Sequence, residues 1–176
     1  DMDKLYAFQL ESGNVQLNVE QMMSIYALSR RKEGLAHLLG GGFVFGKDAK
    51  RIISKAGVPM TYLVEDATAY RLTVEEINQI ANALTKEQRA FADAMQKYLA
   101  DVMGGKGNEV SMALYGVKSF NDEHYFPIRS SGQYMERAKL QAMQKSQGQI
   151  NLVNSGFTKS TVPNAKNPVA LDGFLD

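Results

Sequence analysis

The chain has no cysteine and no tryptophan, and only two histidines and four prolines, in 176 residues. The missing thiols exclude disulfides, thiolate metal sites and cysteine nucleophiles, and they agree with a reducing compartment. Two histidines, His37 and His124, are too few for a multi-histidine metal site. No window approaches the roughly 18 consecutive apolar residues that span a bilayer, and the N-terminus lacks the charged-then-apolar pattern of a secretory signal. Net charge is only +1, so no overall field selects nucleic acid or an anionic surface. What remains, 44% apolar and 22% charged, is the composition of a folded globular protein with room for one domain. The sequence opens on Asp1 and stops at GFLD within an apolar-polar pattern, which reads as a piece of a longer polypeptide.

Charge is balanced overall but uneven locally. Residues 30 to 55 hold seven Lys or Arg against two acids, and residues 65 to 123 hold six against ten. A basic face for nucleic acid is one reading, a solvated surface the other.

Residues 4 to 17 contain two short runs of alternating apolar residues joined by Ser12-Gly13-Asn14, a hairpin signal because Gly and Asn accept positive φ. Asn18 followed by Gln21 is a capping signature, and Met22, Ile25, Tyr26 and Leu28 then form a helical apolar stripe. Arg30, Arg31 and Lys32 fall at the C-terminal end of that helix, where cations interact favourably with its dipole. GLAHLL extends a second helix into Gly40 to Gly42, and FVF reads as a short buried strand. KDAKRIISKAG suits an amphipathic turn or short helix. TYLV and AYRL form a plausible strand pair around Glu65 to Thr68.

TVEE at Thr73 and TKEQ at Thr85 are two further capping boxes. The second opens a helix with Phe91, Met95, Tyr98, Leu99 and Val102 on one face, expected to stop at Gly104-Gly105. A third helix over about Asn108 to Val117 would carry Val110, Met112 and Leu114 into the core. Beyond Phe120, NDEHYFPIRSSG reads as extended and YMERAKLQAMQ as helix-capable. From Asn151 the Ser, Thr, Asn and Pro content predicts an irregular tail laid over the surface or docked elsewhere. The expected fold class is therefore mainly α: a helical domain (1–150) with a small N-terminal β-hairpin, and an extended tail (151–176) belonging to it or linking onward.

GGFVFGKD at 41 to 48 matches a phosphate-binding loop up to Lys47 and fails at Asp48. Such a loop needs a strand leading in, a helix leading out and a hydroxyl for magnesium. Here a helix leads in and the interior is apolar, so the glycines are expected to stop a helix and turn an aromatic segment into the core. Glu33 and His37 are four apart, and Asp122-Glu123-His124 is an acidic cluster, so a mixed His-carboxylate site is conceivable. The alternative is two hydrogen-bonded packing histidines. No G-x-S-x-G elbow marks a serine nucleophile. Arg129, Arg137, Lys139 and Lys145, interleaved with Tyr125, Phe126 and Tyr134, offer cations for phosphate and rings for bases.

Three stretches, VEQMMSIYALSRRKEGLAHLLGGG, LTKEQRAFADAMQKYLADVMGGKGNEVSMALYGVKSFNDEHYFPIRSS and GFTKSTVPNAKNPVALDGFLD, together resemble an internal region of the very large polyvalent proteins of phages and integrative conjugative elements. The likeness covers most of the chain and is weakest at 43 to 72. It implies neighbours such as helicase-like and DNA-methyltransferase-like domains, a bacterial-host cytoplasm, and no catalytic residues in this region.

The reading that follows is a non-catalytic interaction or scaffold module of a large phage or mobile-element protein that handles DNA or host defence. Its partners would be other domains of the parent, with no membrane and no cofactor. The first alternative is a DNA-binding module using Arg30, Arg31, Lys32, Lys47, Lys50, Arg51, Arg129 and Arg137. The second is a small hydrolase or nuclease centred on His124 with Glu123. No catalytic, cofactor-binding or metal-ligating residue is assigned.

Overall fold

A computed structural model describes residues 2–53, 59–116, 124–128, 133–135, 138, 139, 142, 165–171 and 174. The N-terminal runs pair as an antiparallel hairpin, β1 (Tyr6–Leu10) with β2 (Gly13–Leu17). Leu10 stands opposite Gly13, so the turn is Glu11-Ser12, one residue earlier than the sequence suggested. Gly13 adopts φ 138°, which lets the chain enter β2 directly from a two-residue turn. Leu10, Val15 and Leu17 are buried while Gln9, Asn14 and Gln16 are exposed, the period of two that a half-buried sheet requires.

The helix α1 (Val19–Ser29) begins at the expected capping box: Gln21 N–H donates to Asn18 at 2.9 Å, and Asn18 N–H donates to the Gln21 amide at 3.0 Å. Its burial goes beyond the expected stripe. Val19, Met22, Met23, Ser24, Ile25, Ala27 and Leu28 are all buried, and the helix packs on α2 (Lys32–Gly40), α3 (Val74–Ala83) and α4 (Lys86–Tyr115). Each large apolar side chain so enclosed contributes about 1.5–3 kcal/mol of transfer free energy. This makes α1 the axis of the core.

After α2 the glycines behave as expected. Gly42 takes φ 75° and lies so close to the Tyr70 carbonyl that a Cβ would overlap it. The chain then enters β3 (Phe43–Phe45), with Phe43 and Val44 buried. The partner of β3 was not foreseen. It is β7 (Val169–Leu171), aligned parallel with Phe43 opposite Val169. Val169, Leu171 and Phe174 are at most 6% exposed, so this stretch of the expected surface tail is core. Its apolar residues are only a short Val-Ala-Leu run in polar surroundings, too brief to signal a strand without β3 beside it.

The segment expected to be a turn or short helix is a 3-10 turn (Gly46–Asp48) followed by the strand β4 (Ala49–Ile53), antiparallel to β5 (Pro59–Val64). The pair Ile52-Ile53 favours extended backbone, and the TYLV run of β5 supplies the ladder that decides it. AYRL does not pair with TYLV; its Tyr70 forms an isolated bridge with Phe43. The second neighbour of β5 is β6 (Gln133–Met135), so Tyr134-Met135 of the helix-capable stretch are in a strand, while residues 138, 139 and 142 are helical. Four helices dominate the described residues, but the β content is three small sheets rather than one N-terminal hairpin.

Both later capping boxes form, Thr73 with Glu76 and Thr85 with Gln88. The expected stop at Gly104-Gly105 does not occur. Instead α4 runs unbroken for 30 residues, about 45 Å, and ends where Gly116 turns left-handed at φ 69°. An interior glycine costs about 1 kcal/mol relative to alanine but removes no hydrogen bond, so it weakens a helix without ending it. The core-facing side of α4 is also rotated from the expected one. Ala92 and Gln96 are fully buried, Met95 and Leu99 partly so, while Phe91 and Tyr98 are 42% and 59% exposed. Gln96 Nε2 donates to the Ala27 carbonyl of α1 at 2.8 Å.

Candidate functional site

The two arginines at the end of α1 are engaged within the fold. Arg30 forms an ion pair with Asp93 of α4 and donates to the Tyr26 hydroxyl at 2.8 Å; that hydroxyl donates to Asp93 at 3.0 Å. Burial, followed by the Asp93 hydrogen bond, pushes the Tyr26 phenol above its ordinary value. Arg31 binds Glu33 at 3.1 Å and reaches the Phe126 carbonyl, and its guanidinium lies 5.4 Å from the centre of the Tyr125 ring. These contacts tie α1 to α4 and to residues 125 and 126.

Lys32 is exposed at the start of α2, whereas Lys47 is exposed beyond its far end, past β3. A nine-residue helix separates them, roughly 13 Å along its axis, so these two do not share a cluster. Lys50 is half-buried on β4, and Arg51 occupies the next position of that strand. Arg129 and Arg137 lie outside the described residues.

His37 is fully buried, and its Nδ1 stands 2.9 Å from the Asn167 carbonyl. A carbonyl can only accept, so Nδ1 carries the proton. Nε2 has no partner. The residue thus anchors the segment before β7, while Glu33 turns to Arg31. His124 is half-buried, and its carbonyl accepts from Gln96 Nε2 at 3.3 Å; the neighbouring Glu123 lies outside the described residues. Among the described residues no three His, Asp or Glu gather as a metal site, and no helix is long and apolar enough to cross a membrane.

Around residues 41 to 48 the order is helix, strand, 3-10 turn, strand, not the strand-loop-helix of a phosphate-binding loop. Phe43, Phe45 and Tyr70 form a ring cluster with centres 5.5–6.0 Å apart. Beside them opens a cleft of about 620 Å³. Its lining includes Asn14, Val15 and Gln16 of β2 together with Phe45, Lys47 and Tyr70. Lys47 has no hydrogen-bond or ion-pair partner among the described residues.

A second surface feature is the outer half of α4. Met103, Val110 and Leu114, expected to be core or unremarked, are 45%, 58% and 67% exposed and fall on one side of the helix at spacings of seven and four. Met112 and Tyr115 add 47% and 74%. The spacing was visible in the sequence, but it carries the same signal whether the stripe faces a core or water.

No family model matches this chain, and neither curated proteins nor solved structures yield a match.

Proposed function

We propose that this chain is a non-catalytic interaction module that positions other parts of a larger protein, of the phage or mobile-element kind its sequence resembles. The observation that carries the reading is the outer half of α4. Its inner half packs on α1, where Gln96 Nε2 donates to the Ala27 carbonyl at 2.8 Å, yet Met103, Val110 and Leu114 of the outer half are turned outward. A rigid helix rooted at one end and apolar at the other suits docking, because the apolar stripe gains by being covered and the rooted end fixes the direction of approach. The pairing of Arg30 with Asp93 and of Arg31 with Glu33 also favours this reading over a nucleic-acid face, since those cations already have counter-charges.

Amide hydrogen exchange tests the proposal. Residues 103 to 115 should exchange quickly in this chain alone and become protected when it is expressed within its longer polypeptide. Equal exchange in both settings would overturn it.

A further inference from the structure

We infer that the cleft beside β2 is a docking site for an extended peptide of a partner protein, which adds to the open edge of β2 as a further strand and sets an acidic side chain against Lys47. The argument begins with hydrogen-bond direction. A two-residue turn makes Leu10 and Gly13 a hydrogen-bonded pair, and pairs alternate along an antiparallel ladder. Val15 and Leu17 therefore bond to β1, while the N–H and C=O groups of Asn14 and Gln16 point away from it. Those four groups have no backbone partner among the described residues.

Open edges are usually protected by charge, proline or a bulge. Here β4 carries Lys50 and Arg51, whereas β2, Gly13-Asn14-Val15-Gln16-Leu17, carries no charge and no proline. This edge also has a wall beside it. Val15, Phe45 and Tyr70 give an added strand an apolar surface for one of its alternating side chains, and Lys47 is the only charged residue among the described residues that line the cleft. An incoming strand with an acid at that point satisfies both the edge and the lysine. A second copy of β2 brings no acid, so the charge favours a foreign peptide over self-pairing. The site is separate from α4, and the inference does not rest on the role proposed for that helix.

The test is selection from a random peptide library displayed on phage, followed by binding measurements on the full chain and three variants. Gln16→Pro removes an outward N–H without touching the β1 ladder. Lys47→Glu reverses the exposed charge and leaves the fold alone, so it decides the matter if Gln16→Pro fails to fold. Leu114→Asp on α4 is the control. The expected result is enrichment of acidic peptides with alternating apolar residues, bound about tenfold more weakly by Gln16→Pro and by Lys47→Glu but equally by Leu114→Asp. No enriched peptide, or affinities unchanged in both cleft variants, overturns the inference. So does a sedimenting dimer that Gln16→Pro abolishes, because the occupant is then a second copy.

Discussion

The helices α1 and α4 start from the same kind of capping box and end up in opposite circumstances. Seven of the eleven residues of α1 are buried, including four large apolar side chains from Met22 to Leu28, while α4 buries Ala92, Gln96 and Ser111 among thirty. Capping sets where each helix begins. What the helix does afterwards is decided by how much of its circumference other elements cover, and here α2, α3 and α4 all pack on α1. The outer half of α4 contains Gly104, Gly105 and Gly107, each of which lowers its helical propensity by about 1 kcal/mol relative to alanine.

The largest effect that separates them comes from truncating one apolar residue in each. Ile25→Ala in α1 should cost about 3 kcal/mol, since a fully buried side chain leaves a cavity, whereas Val110→Ala in α4 should stay within about 0.5 kcal/mol. Urea unfolding followed by far-UV circular dichroism measures both. Similar losses would mean that α4 is packed along its whole length.

A smaller contrast lies in two glutamates. Glu76 of α3 is buried and accepts at both oxygens, from Glu11 N–H at 2.6 Å and from Thr73 N–H at 2.9 Å, so one carboxylate caps α3 and fastens the hairpin turn to it. Glu76→Ala should cost about 2 kcal/mol, the scale of hydrogen bonds to a charged group. Glu109→Ala, on the exposed outer part of α4, should be nearly neutral in the same assay.

These contrasts also mark what the sequence could show. Asn18-Gln21, Thr73-Glu76 and Thr85-Gln88 were readable because a capping box is a local signature three residues wide, and all three form. The hairpin, the FVF strand and the glycine-terminated α2 were local as well. The second role of Glu76 was not readable, because its partner Glu11 is sixty-five residues away. The same holds for β7, which is a strand only because β3 lies beside it, and for β4, where the choice between helix and strand rested on pairing with β5. Orientation was the other loss. Helical spacing put Val110 and Leu114 on one side but could not say whether core or water faced them. The β2 edge with Lys47 combines residues 14–16, 45–47 and 70, which no spacing rule connects.

At the head of α4 the expected effect is smaller again. Thr85 accepts from Gln88 N–H at 3.2 Å, and Thr85→Ala should cost about 1 kcal/mol. The same change has a titration signature. The Glu87 carboxyl is held below its ordinary value first by its own backbone N–H and then by the Thr85 hydroxyl. A depressed carboxylate adds stability that is present above its unfolded pKa and lost as pH falls through the folded one. Removing the hydroxyl should move the Glu87 midpoint back up toward the ordinary carboxylate range, read by carbon-detected NMR titration. An unmoved midpoint would leave the backbone contact as the whole cause.

The finest test of the contrast is Gly105→Ala, because its sign should differ if the outer helix is covered as proposed. Among the described residues nothing stands within 4 Å of where a Cβ at Gly105 would lie, and the residue is in the helix interior. In the isolated chain the methyl meets no neighbour, and alanine should stabilise by about 0.5–1 kcal/mol through the smaller backbone entropy of the unfolded chain. If this chain sits, as proposed, in a longer polypeptide whose other parts cover the outer helix, a partner seated close against the glycines would meet that methyl, and the gain should shrink or reverse. Urea unfolding gives the first value and protection of residues 103 to 115 in hydrogen exchange the second. Destabilisation already in the isolated chain would show that part of this chain covers Gly105, and the outer half of α4 would then be rooted like α1.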